Sequence, residues 1–284
     1  MKILPPVFLE LRGDAGAPLA VLGLPYDGTC SYRPGSRFGP RAIRDASWGL
    51  ETYSPELDGD LQGSMVADLG DLDLPFGNTE RALGEIGAAA REVAALGKRL
   101  LCLGGEHLVT LPLAEACREV HEGLVLLHFD AHSDLREDYL GERLSHASVI
   151  RRCVDRLGPD RVCQFGVRSG TRHEFDWMRE HGTLYPATGE GVRRALARFD
   201  GPVYLSVDLD VFDPSVVPGT GTPEPGGIDY RRFVECMAEL LTSGRAIAGA
   251  DVVELSPPYD PSGISAVLGA KVARDLLIVM GARG

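Results

Sequence analysis

No apolar run in the chain approaches the ~18 residues that a membrane-crossing helix needs, so the sequence offers no candidate span. Positive charge is also scarce. Lys and Arg number 29 against 41 Asp and Glu, a formal net charge of −12. That balance argues against nucleic acid or an anionic membrane surface as the main partner, and it suits a small cationic substrate. The six cysteines (Cys30, Cys102, Cys117, Cys153, Cys163 and Cys236) form no C-x-x-C pair. They read as reduced, mostly buried thiols, not a disulfide framework or a thiolate metal site. Met1–Pro6 lacks the apolar core and small-residue cleavage site of a signal peptide, which makes a cytoplasmic location the expectation. No repeat, low-complexity tract or linker interrupts the chain, and one domain over residues 1–284 is expected.

What is present is an ordinary globular composition, 44% hydrophobic and 25% charged, in a chain long enough for a large core. Strand-like apolar runs recur at Leu19–Leu24, Met65–Leu69, Arg99–Leu103, Leu124–Phe129, Val162–Val167, Thr183–Tyr185, Val203–Val207 and Ile247–Leu255. Helical patterns lie between most of them: Asn78–Leu96, Leu111–Glu122, Ser145–Leu157, Gly191–Phe199, Tyr230–Leu241 and Ile264–Met280. Strands that alternate with helices and are apolar nearly throughout predict an α/β fold with a parallel sheet covered on both faces.

Such sheets bind ligands beyond the carboxyl ends of their strands, and the chemically capable residues fall there. Gly104-Gly105-Glu106-His107 follows the third run. Asp130, His132 and Asp134 follow the fourth, Asp208 and Asp210 close the seventh, and Glu254 ends the eighth. If the chain stays extended, Asp130, His132 and Asp134 share one side, as do Asp208 and Asp210. Carboxylates so crowded repel one another, and a divalent cation is the natural remedy. A lone Asp-x-Asp is ordinarily a turn device and a lone histidine a structural one. The convergence of His107, Asp130, His132, Asp134, Asp208 and Asp210 on one rim is what argues for metal. Four carboxylates and two imidazoles exceed the needs of one ion and suit two that share carboxylates. Oxygen-rich ligation favours manganese or magnesium over structural zinc. His128 is expected to support the ligands, and His121 and His181 to be structural.

These residues resemble the signatures of the ureohydrolases, the family of arginases, agmatinases and guanidino-acid hydrolases. The motifs are Gly-Gly-Glu-His, Asp-Ala-His-Ser-Asp-Leu-Arg from Asp130, and Ser-Val-Asp-Leu-Asp-Val-Phe-Asp-Pro-Ser from Ser206 on to Gly227. The likeness extends from Gly23–Asp27 and Arg33–Pro40 to Asp251–Pro257. It implies a three-layer α/β/α fold of the arginase/deacetylase type, with a parallel sheet of about eight strands. It also implies two Mn2+ ions, one held by His107, Asp130, Asp134 and Asp208 and the other by Asp130, His132, Asp208 and Asp210. The implied reaction is hydrolysis of a guanidino carbon by a metal-bridging hydroxide. Asp134 would orient that hydroxide, Glu254 would pair with the guanidinium, and His146 would pass a proton to the leaving amine. Trimeric or hexameric assembly is implied as well. Glu106 stands where the family more often has aspartate, and it is expected to support the ligands without binding metal; Glu224 has no assigned role.

The loop Leu135–Leu144 carries Glu137, Asp138 and Glu142, acids that would repel a carboxylate and attract an amine tail. Agmatine is therefore the expected substrate, giving putrescine and urea. Aminopropylagmatine is the near alternative, and arginine or guanidinobutyrate the next. A binuclear phosphoesterase, a deacetylase of the same fold type and a non-catalytic homologue are the distant ones.

Overall fold

The computed structural model describes residues 7–11, 13–14, 16–61 and 65–282, so the expectation about Met1–Pro6 lies outside the described residues. Eight strands form one sheet: β1 (Leu19–Leu24), β4 (Val66–Asp71), β5 (Arg99–Gly104), β6 (Val125–Phe129), β7 (Val162–Phe165), β8 (Leu184–Tyr185), β9 (Val203–Asp208) and β10 (Ile247–Val253). Their spatial order is β4-β1-β5-β10-β9-β6-β7-β8, and every pairing is parallel. A short antiparallel pair, β2 (Tyr53–Ser54) and β3 (Gly59–Asp60), stands apart from it.

The strands are apolar on both sides because both sides are covered. Leu19 and Val21 of β1 join one core while Ala20, Leu22 and Leu24 join the other, as Leu101 and Leu103 of β5 oppose Leu100 and Cys102. The first core also takes Ile43 of α1 (Gly39–Ser47), Val192 of α6 (Gly189–Leu196), Phe233 of α7 (Tyr230–Thr242) and Leu276 of α8 (Ile264–Gly281). The second takes Ile86 of α2 (Thr79–Ala95), Leu113 of α3 (Thr110–Val120), Ile150 of α4 (Val149–Leu157) and Met178 of α5 (Arg172–His181). This is the three-layer α/β/α arrangement.

Two helices, α1 and α5, fall outside the helical patterns expected from the sequence. α1 opens on Gly39-Pro40, and proline suits a first turn whose N–H groups lack helical partners. α5 buries only Glu174 and Met178, too little for an apolar stripe. Its one legible feature is a capping box, in which Glu174 Oε2 accepts from Thr171 N at 2.6 Å and Thr171 Oγ1 accepts from Glu174 N at 3.3 Å. The expected helix Ser145–Leu157 divides into a 3₁₀ turn, His146–Ser148, followed by α4.

Strand order is what builds the site. After β5 the chain passes through α3 to β6, three places away, and β9 and β10 later fill the gap. The neighbours β5-β10-β9-β6 then carry His107, Glu254, Asp208 and Asp130 at the same ends. Close approach of the preceding loop requires Gly105, since a Cβ there would collide with the Tyr26 backbone, to which Glu106 N donates at 2.7 Å. That loop is closed by Asp27, whose carboxylate accepts from Gly35 N at 3.1 Å and Arg37 Nε at 2.5 Å.

Candidate metal centre

The six expected ligands meet, though not by the extended alternation inferred from sequence. β6 ends at Phe129, His132 keeps only an isolated bridge to Ser169, and Asp134 takes a left-handed backbone with φ of 51°. Asp208 ends β9, and Asp210 lies in the 3₁₀ turn Leu209–Val211 that Asp208 caps, accepting from Asp210 N at 2.7 Å. Glu254 is also left-handed, with φ of 64°. Non-glycine residues hold such angles only when their surroundings impose them, and such strain clusters at functional sites.

His107 sits in the middle. Its Nδ1 lies 3.0 Å from Asp130 Oδ2, 3.3 Å from Asp134 Oδ2 and 3.2 Å from Asp208 Oδ2, yet it is buried with no hydrogen-bond partner. The other nitrogen explains why. Ser206 Oγ gives its single proton to Asp251 Oδ1 at 2.7 Å, so it can only accept from His107 Nε2, 2.9 Å away. Asp251 is held in turn by Thr110 Oγ1 at 2.9 Å and Tyr204 OH at 2.7 Å. In the neutral ring the Nδ1 lone pair therefore faces three carboxylate oxygens, an arrangement that calls for a cation.

A second group lies beside the first. His132 Nδ1 is 3.0 Å from Asp210 Oδ2 and 3.5 Å from Asp130 Oδ1, so Asp130 faces both imidazoles. The described residues contain two sets able to hold an ion, His107 with His128, Asp130 and Asp134, and Asp130 with His132 and Asp210. His128 is already committed: its Nε2 meets Asp130 Oδ2 at 2.7 Å and its Nδ1 meets Gln164 Nε2 at 3.3 Å. It orients Asp130, as expected.

Electrostatics agree with the geometry. Burial, then Asp210 and Asp130, push the Asp208 carboxyl well above its ordinary value, and burial, then Asp130, raise Asp210. His132 rises to about 12, because Asp210 and Asp130 outweigh the burial that lowers it. Burial and Glu106 raise Glu254 well above the carboxylate range. Buried carboxylates under this strain are the donor set a pair of divalent ions would relieve.

The cluster opens into a cavity of about 260 Å3 whose walls include Asp134, His146, Glu254, Arg136, Tyr139 and Glu174. The loop acids Glu137, Asp138 and Glu142 engage other partners. Glu137 is turned into ion pairs with Arg143 at 3.1 Å, Arg151 at 3.2 Å and Arg152 at 3.2 Å. Asp138 closes a turn by accepting from Gly141 N at 3.1 Å, and Glu142 lines a separate surface groove. None of the three lines that cavity, but Glu137 and Asp138 line an adjoining one of about 210 Å3 that shares Arg136, Thr171 and Glu174 with it. The carboxylate in its wall is Glu174, legible in sequence only through the Thr171-x-x-Glu174 capping pattern.

Another cavity, of about 200 Å3, lies at the amino ends of the strands, with largely apolar walls that include Leu100, Leu113 and Tyr204. The candidate ligands His107, His132, Asp134 and Asp208 line the first.

Residues 17–279 match the model of the arginase family. The chain belongs to the arginase family. It is 44% identical to an agmatinase of Bacillus anthracis, over 92% of this chain and 91% of that protein. It is 38% identical to the human mitochondrial guanidino acid hydrolase, over 93% and 79% of the respective chains. The agmatine ureohydrolase structure of Thermoplasma volcanium superposes with a TM-score of 0.85 at 32% identity, covering 99% of this chain and 96% of that one. As a member of this family, the protein is a hydrolase of guanidino compounds.

Proposed function

We propose that the protein hydrolyses agmatine to putrescine and urea with two manganese ions. His107, Asp130, Asp134 and Asp208 would hold one ion, and Asp130, His132, Asp208 and Asp210 the other. The observation that carries the substrate reading is the pairing of two buried carboxylates, Glu254 and Glu174, in the wall of one small cavity. A guanidinium at one end of an unbranched chain and an ammonium at the other would meet one each.

When bound, the ions would lower the pKa of a water and so supply a nucleophile near neutral pH. The protein's own groups do the rest. Glu254, fixed by the hydrogen bond from His107 N to its Oε1 at 2.8 Å, accepts the planar guanidinium and aims its carbon at the cluster. Asp134 orients the attacking water and takes up its proton. As the new carbon–oxygen bond forms, the bond to the chain nitrogen breaks and a proton must reach that nitrogen. His146 lines the cavity, and burial holds its pKa below the ordinary value, so it is neutral and able to relay that proton.

A second reading rests on Arg136, which shares the cavity wall and stacks over Tyr139 at 5.2 Å. A cation there would suit a guanidino acid, the substrate class named for the human relative. Urea release from agmatine, aminopropylagmatine, arginine and guanidinobutyrate, each with manganese, decides between them. Preference for agmatine supports the proposal, preference for guanidinobutyrate supports Arg136, and no urea from any substrate overturns this hydrolytic mechanism. By family likeness the protein would assemble as a trimer or hexamer and work in the cytoplasm.

A further inference from the structure

We propose that Thr29 and Glu106 position His146 for proton transfer, an inference that rests on the role given to His146 above. Glu106 is fully buried, and both of its oxygens are engaged by one residue. Thr29 N donates to Oε1 at 2.8 Å and Thr29 Oγ1 donates to Oε2 at 2.7 Å. A hydroxyl has one proton, so Thr29 Oγ1, having given it to Glu106, can act toward His146 only as an acceptor. It takes the backbone N–H of His146 at 3.1 Å. That amide opens the 3₁₀ turn His146–Ser148, where an N–H has no partner within the turn. Two hydrogen bonds through one oxygen thus tie the segment after β5 to the turn that carries the imidazole.

The ring is framed by the same groups. His146 Nε2 lies 3.2 Å from Ser31 Oγ, two residues beyond Thr29. Its Nδ1 is buried without a hydrogen-bond partner and stands 3.8 Å from Glu106 Oε2. A carboxylate on that side favours the tautomer with its proton on Nδ1, leaving the Nε2 lone pair to accept from Ser31 Oγ. Tyr139 closes the remaining side, edge-on at 5.7 Å between ring centres. Glu106 touches none of the reacting atoms in this arrangement. It acts through Thr29 and through the orientation of His146.

Three variants test this: Thr29→Val, which keeps the shape and removes the hydroxyl, Thr29→Ser, which restores it, and Glu106→Gln. Hydrogen–deuterium exchange on the metal-free protein reads the His146 amide directly in peptides spanning residues 144–150. Thr29→Val is expected to speed that exchange and lower kcat about 100-fold, the cost of a misplaced catalytic group. KM and bound manganese should stay close to the parent's, and Thr29→Ser should recover most of both losses. Glu106→Gln should lower kcat at nearly constant KM. The proposal is overturned if Thr29→Val exchanges and turns over like the parent, or if Thr29→Ser is as impaired as Thr29→Val. It is equally overturned if the kcat loss tracks loss of manganese, which would make the role structural. A parent enzyme that releases no urea would instead defeat the function reading, while the exchange measurement still reports on the Thr29–His146 contact.

Discussion

Ser206 Oγ lies 2.9 Å from His107 Nε2 and has already given its proton to Asp251, so it can only accept from the imidazole. One hydroxyl thereby turns the His107 Nδ1 lone pair toward Asp130, Asp134 and Asp208. Ser206→Ala removes the device and leaves Asp251 with the Thr110 and Tyr204 bonds. Manganese affinity should fall about 10–100-fold, with activity returning as manganese is added. Metal titration by calorimetry checks it, and an unchanged affinity would show that the tautomer is set elsewhere.

Asp134 faces His107 in the cluster and also lines the cavity. In Asp134→Asn the side chain keeps an oxygen but loses the charge that takes up the proton. Turnover should drop about 10²–10⁴-fold, far more than bound manganese drops. Paired elemental analysis and urea assays measure both quantities, and equal losses would mean that Asp134 is only a ligand.

Glu174→Gln tests the amine end of the substrate. Glutamine can still cap α5, because the capping box accepts either residue. Removing the charge should raise KM for agmatine about tenfold, the scale of one charge-assisted hydrogen bond, with little change in kcat. Guanidinobutyrate turnover should not suffer. A uniform loss across substrates would show that Glu174 serves only the helix.

Asp260 supplies a pH-dependent prediction away from the cluster. Burial pushes its carboxyl up, but hydrogen bonds from Ser262 and Ser265 outweigh this and hold it at about 2. A depressed folded pKa gives stability that is present above the unfolded value of about 4 and lost as pH falls toward 2. Asp260→Asn should therefore cost about 1 kcal/mol at pH 7, and the gap from the parent should shrink by pH 3. Urea melts at the two pH values test it; a constant gap would place the effect in packing.

Much of this protein is written locally in its sequence. Strands such as Leu19–Leu24 are apolar at every position because both faces are buried, and that pattern alone specifies a covered parallel sheet. The concentration of His107, Asp130, His132, Asp134, Asp208 and Asp210 at strand ends marks a cation site, since burial of so many carboxylates without one is unfavourable. Three things needed the tertiary structure. The strand order β5-β10-β9-β6 brings Glu254 beside His107, and order depends on how distant strands pack. The left-handed angles at Asp134 and Glu254, not extended alternation, aim their side chains, and only the surrounding contacts impose such angles. Charge in the loop after Asp134 was visible as composition. Which acids line the cavity depends on partners beyond that loop: arginines of α4 pair with Glu137, while α5 carries the unheralded Glu174 into the wall.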